Sequence, residues 1–117
     1  MDFSFNDDQI AIRELAFQIF TDRSDDEFLL AFSRGNETYD ETLWQTLAQQ
    51  GLLGVAIPEA AGGAGLGLIE LCLVLEEQGR RVAPVPLYAS LVLGGLPIAE
   101  FGSQQQQQRY LQPLAAG

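Results

Sequence analysis

Apolar residues recur at helical spacing along nearly the whole chain. Ile12, Leu15, Ala16, Ile19 and Phe20 fall at i, i+3, i+4, i+7 and i+8 and predict an amphipathic helix over 6–22. Asn6 stands at its cap, and Asp7 and Asp8 occupy the first turn, where the helix dipole favours acids. Ser24-Asp25-Asp26-Glu27 has capping-box spacing and predicts a second helix bearing Phe28, Leu29 and Phe32, closed by Gly35 in the left-handed conformation. Asp40 caps a third helix, in which Leu43, Leu47 and Ala48 continue the stripe and Tyr39 packs back on Trp44 as a hydrophobic staple. Gly51 ends it. Leu52 to Ile57 reads as extended, because Pro58 disfavours helix at the residue before it.

A glycine loop, Gly62 to Gly67, leads into a fourth helix from Leu68 to Arg81. Leu68, Ile69, Leu71, Cys72, Val74 and Leu75 cover more than one stripe, which predicts a central helix buried on several sides. Pro84 and Pro86 restart the chain, and Leu87 to Leu93 reads helical with almost no charge. Gly94-Gly95 interrupts that helix, and Pro97 opens a short one through Phe101. Gly102-Ser103 is a stop followed by a cap, and Gln104 to Leu114 forms the last helix on Tyr110, Leu111 and Leu114, its glutamines a solvated face. No window alternates in strand fashion. The expectation is an all-α domain, a bundle of about six helices occupying 1–117 as a single unit.

Composition narrows the function. The net charge is -10, from 16 acids and 6 arginines with no lysine, which opposes nucleic acid and anionic membrane alike. The chain has no histidine, the commonest general base and zinc ligand. Cys72 is the single cysteine, so no internal disulfide or thiolate cage forms, and its place in an apolar pattern predicts a buried core residue. No apolar run approaches the roughly 20 residues of a membrane span, and the N-terminal residues lack signal-peptide character. A cytoplasmic protein with no metal site is expected.

The glycine loop invites a phosphate-binding reading, but Gly-Ala-Gly-Leu-Gly from Gly63 is not G-x-G-x-x-G, and Glu59 would repel a phosphate. A close helix-to-helix joint accounts for it. The pairs Asp7-Asp8, Asp25-Asp26 and Glu76-Glu77 read as capping and solvation, and no catalytic residue is assigned. Leu87, Leu91 and Gly95, four apart along one face with Tyr88 adjacent, are the candidate ligand-contacting residues. They read either as ordinary core or as one wall of an apolar groove.

In order along the chain, these elements resemble the N-terminal helical domain of the acyl-CoA dehydrogenase family. The carriers are Trp44, Gly51-Leu52-Leu53-Gly54, Pro58-Glu59, Gly62-Gly63-Ala64-Gly65-Leu66-Gly67, Glu76-Glu77-Gln78-Gly79-Arg80, Phe101-Gly102 and Arg109-Tyr110-Leu111. The ordered set is specific where each piece alone is weak, and it spans nearly the whole chain. Ala60-Ala61 departs from the bulky residue frequent before the paired glycines, and Gln104 to Gln108 from the charges frequent there.

The resemblance implies a flavoprotein of fatty-acid metabolism that removes the α and β hydrogens of an acyl-CoA thioester. Electron-transfer flavoprotein is its partner, and the assembly is a homo- or hetero-oligomer. It further implies a middle β domain and a C-terminal helical domain, outside these 117 residues, that carry the glutamate base and most of the contacts to FAD. This chain then contributes packing and one side of the acyl pocket, through Leu87, Leu91, Gly95 and Tyr88. The alternative is a stand-alone helical interaction module, or a non-catalytic subunit of a heteromeric dehydrogenase.

Overall fold

The computed structural model describes residues 1–117 and contains helices and turns but no strand. Helix α1 spans Asp7–Arg23 and begins in a reciprocal cap: the Gln9 N–H donates to Asn6 Oδ1 at 2.8 Å, and the Asn6 N–H donates to Gln9 Oε1 at 3.0 Å. α2 is Asp26–Arg34, α3 is Glu41–Gln49 and α4 is Leu68–Arg81. Between α3 and α4 a single 3-10 turn, Glu59–Ala61, precedes the glycine loop. α5 covers 88–101, a π-helical stretch Tyr88–Gly95 running directly into α-helical Leu96–Phe101. α6 covers 104–116, with a π-helical stretch Gln107–Leu111 at its centre.

The architecture is organised around α1 lying along α4. Ala16 and Phe20 from α1 meet Leu71 and Val74 from α4, and Leu43, Leu47, Leu87 and Leu91 close the core around them. Full burial of each large side chain is worth about 1.5–3 kcal/mol, so this cluster is the main source of stability. A smaller cluster of Ile57, Ala61 and Leu111 fastens α6 to the turn before the glycine loop.

The structure departs from the sequence expectations at several joints. Ser24 is the buried residue that ends α1, and Asp25 caps α2 instead, accepting from the Phe28 N–H at 2.7 Å. Gly35 ends α2 in an extended conformation, φ -86 and ψ -174, and is not left-handed. Leu52 to Ile57 is a succession of turns, closed by the Ile57 N–H on Gly54 O at 3.1 Å. Leu52, Leu53, Val55 and Ile57 are all buried, so folding back delivers more apolar surface to the core than an extended segment with one face would.

α4 is not surrounded. Leu71, Leu73, Val74 and Glu77 are buried, while Leu68 and Ile69 are exposed and so is Cys72, contrary to its expected place in the core. Glu77 reverses the expected solvated face: it is 3% exposed and its Oε2 has no partner. Gly94-Gly95 does not break α5, because the wider π turn carries the helix through them.

Candidate functional site

The residues with ligand-contacting potential lie on α5, and its placement depends on side chains outside it. Upstream, Gln78 of α4 donates Nε2 to Ala83 O at 3.1 Å and to Val85 O at 2.7 Å, while the Asp40 N–H donates to Pro84 O at 2.8 Å. These three bonds fix the proline connector from which α5 starts. Downstream, Gln107 of α6 donates Nε2 to Ala99 O at 3.2 Å and to Gly102 O at 3.3 Å, and Ser103 and Gln106 cap each other reciprocally. Two of the five glutamines are therefore structural clamps, beyond the solvated role expected for them. Gln107 binds carbonyls at the end of α5, where a helix leaves them unpaired, while Gln106 accepts the Ser103 N–H.

The stripe of Leu87, at the cap of α5, with Leu91 and Gly95 within it faces inward. Leu87 is fully buried, Leu91 is 4% exposed, and a Cβ added at Gly95 would come within 3.3 Å of Leu114 Cδ2 and of Ser90 O. Tyr88 alone of the four expected contact residues is exposed. The open side of the helix carries Tyr88, Ala89, Leu93 and Pro97, with Leu93 61% exposed. Spacing alone finds a stripe without saying which way it faces, so Ala89 and Leu93 escaped notice. Beside this face Val92, Leu96, Pro97 and Phe101 meet Ala56 and Pro58 in an open depression of about 530 Å³. Glu100 is the one charged residue on α5.

Five of the six arginines are engaged elsewhere, and Arg34 stands at the end of α2. Arg23 grips Asp40 with two bonds of 2.7 and 2.9 Å, Arg80 binds Glu76 and Glu77 at 2.9 and 3.2 Å, and Arg81 donates to Ser24 O. Arg13 and Arg109 lie over the rings of Phe5 and Tyr110. Burial pushes the Asp40 carboxyl up, but the Arg23 hydrogen bond, the Leu43 N–H and the Arg23 charge outweigh it and hold it below its ordinary value. The amide at the start of α4 is taken as well, since the Gly67 N–H donates to Glu70 Oε2 at 3.0 Å. No group of three His, Cys, Asp or Glu side chains could hold a metal.

These residues do not fit FAD on their own: no free cations or helix-start amides converge on a diphosphate. What the chain offers is an apolar, nearly uncharged wall. It can exclude water from and shape an apolar chain.

Against known proteins, the family described as acyl-CoA dehydrogenase, N-terminal domain, matches residues 6–117. The chain belongs to the acyl-CoA dehydrogenase family. Among curated dehydrogenases, FadE28 of Mycobacterium tuberculosis is 40% identical over 74 residues, 63% of this chain and 22% of that protein. Among solved structures, a variant of the Tcur3481-Tcur3483 steroid ACAD shares 52% identity with a TM-score of 0.87, over 94% of this chain and 30% of that one. The ChsE4-ChsE5 complex from Mycobacterium tuberculosis shares 30% identity with a TM-score of 0.92, over 99% of this chain and 32% of that one. The chain thus spans about a fifth to a third of the length of these acyl-CoA dehydrogenase relatives. No helix of this dehydrogenase domain is long and apolar enough to cross a membrane.

Proposed function

We propose that this chain is the N-terminal helical part of an FAD-dependent acyl-CoA dehydrogenase and forms one wall of its acyl pocket. The carrying observation is the open side of α5, where Tyr88, Ala89 and Leu93 stand exposed on a clamped helix with no cation. Leu87, Leu91 and Gly95 support that wall from the core side and set its position. The catalytic base, the flavin site, a middle β domain and a C-terminal helical domain belong to the remaining length that the relatives possess. Electrons leave to an electron-transfer flavoprotein, and the working site is the cytoplasm.

The 52% identity to a steroid ACAD favours a bulky, steroid-borne acyl thioester over a simple fatty one. A two-component assembly is favoured by two of the solved neighbours, which carry paired names. In that arrangement this subunit supplies a wall whether or not its own polypeptide carries the base. The test is direct: the intact protein, purified with any co-expressed neighbouring subunit, should absorb as a flavoprotein and oxidise acyl-CoA esters with an artificial electron acceptor. A colourless protein that binds no CoA ester would leave the stand-alone interaction module as the better reading.

A further inference from the structure

Helix α2 presents a surface that neither the fold nor the acyl wall uses. Phe28-Leu29-Leu30-Ala31-Phe32 is apolar at five successive positions, yet no residue of α2 is buried and the helix lies along no other helix. Leu30 is 53% exposed. Phe28 and Phe32 pair their rings at 6.0 Å, and with Ala31 and Gly35 they line a depression of about 320 Å³.

α2 is held from its start. Arg23 lies 4.4 Å over the Phe28 ring while it grips Asp40, and Arg81 binds Ser24 O and approaches Asp26 at 3.7 Å. A nine-residue helix is too short to persist in water on propensity alone, and these anchors hold it with Leu30 and Ala31 exposed and Phe28, Leu29 and Phe32 half-buried.

The rim of this face is acidic. Asp22, Asp25, Asp26 and Glu27 surround its start and Glu37 lines the depression, against Arg34 and the already paired Arg23. A second copy of this chain would bring the same acids against the same rim, and like charges across an interface are repulsive. An anionic bilayer is opposed for the same reason.

We propose that α2 is a docking face for a basic amphipathic helix of another protein. Its apolar side chains seat on Phe28, Ala31 and Phe32, and its flanking arginines or lysines meet Asp25, Asp26, Glu27 and Glu37. This helix-in-groove mode takes affinity from the apolar seat and register from the charges. It is independent of the redox reading, since it requires neither flavin nor thioester.

The experiment uses the intact protein and two synthetic peptides of about 18 residues, five helical turns, one of leucine and arginine and one with glutamate in place of arginine. Binding is followed by fluorescence anisotropy and located by amide hydrogen exchange. The arginine peptide is expected to bind and to slow exchange across 26–37, with roughly tenfold weaker binding for Ala31→Asp, a change at an exposed residue that lines the depression. A pair of changes, Asp26→Asn and Glu27→Gln, should weaken it roughly threefold to tenfold, and added salt should do the same by screening the rim. Failure of the arginine peptide to bind, equal binding of both peptides, or protection located elsewhere overturns the proposal. So does slow exchange across 26–37 before any peptide is added, or an oligomer that Ala31→Asp separates in sedimentation. Those last results would give the face to the rest of the same polypeptide or to a second copy.

Discussion

Asp40 ties three parts of the chain together through one buried carboxylate and one amide. It caps α3 through the Leu43 N–H at 3.1 Å, takes two bonds from Arg23 at the end of α1, and its N–H holds Pro84. Its lowered pKa gives a definite pH dependence. A carboxyl depressed in the folded state contributes stability above its unfolded value, near pH 4, and that contribution is lost as pH falls through the lowered value. Asp40→Asn should therefore cost about 2 kcal/mol in urea unfolding at pH 7 and progressively less as pH falls below about 4. Glu77 contributes differently to packing. Its partner Arg80 is 56% exposed and also paired with Glu76, so removing the buried carboxylate strands no charge. Glu77→Met should leave stability unchanged or raise it by about 1 kcal/mol, measured as the shift in denaturant midpoint. Asp40 as a cap and Tyr39 against Trp44, at 6.4 Å and edge-on, were legible because their partners are three to five residues away. The Arg23 pairing was not, since it depends on how α1 meets α3. Cys72 was misplaced because an apolar pattern counts hydrophobic positions without locating the neighbours that would cover them.

At the level of elements, helix starts were readable and helix ends were less so. Side chains that cap are chemically distinctive, as Asn6, Asp40 and Ser103 illustrate, whereas an ending depends on where the chain must go next. α4 ends at Val82, a β-branched residue held at φ 52 and 75% exposed. Such a residue carries about 1–2 kcal/mol of backbone strain that asparagine tolerates better. Val82→Asn should raise the midpoint of thermal unfolding by an amount equivalent to about 1 kcal/mol, and a lower midpoint would mean that the valine makes a compensating contact. The glycine loop obeys a steric rule that spacing could suggest but not locate. A Cβ at Gly63 would overlap the Ile57 carbonyl and stand 2.6 Å from Ile57 Cβ, so the loop and the turn before it cannot both keep their places. Gly63→Ala should cost more than about 3 kcal/mol, visible as loss of cooperative unfolding, whereas Gly79→Ala, which meets nothing within 4 Å, should be neutral or stabilising. The π-helical stretches of α5 and α6 have no comparable sequence signature, which is why Gly94-Gly95 read as a break.

For the whole molecule, the all-α class and the order of the helices followed from periodicity and caps, and the family followed from the ordered motifs. The direction in which α5 faces did not. Leu87, Leu91 and Gly95 form the stripe that spacing predicts, but only packing against Leu114 and the main core decides that this stripe points inward. Leu68, Ile69, Tyr88, Leu93 and Phe101 remain exposed on a domain that covers about a third of its solved relatives. The most direct measurement of the α5 role is anaerobic titration of the intact flavoprotein with an acyl-CoA ester, followed by bleaching of the flavin band, for the native protein and for Leu93→Arg. Bleaching is expected in both, with the half-point shifted to roughly tenfold or greater ester concentration in Leu93→Arg and the flavin content unchanged. An unshifted half-point in Leu93→Arg would contradict the assignment of this face to the acyl chain.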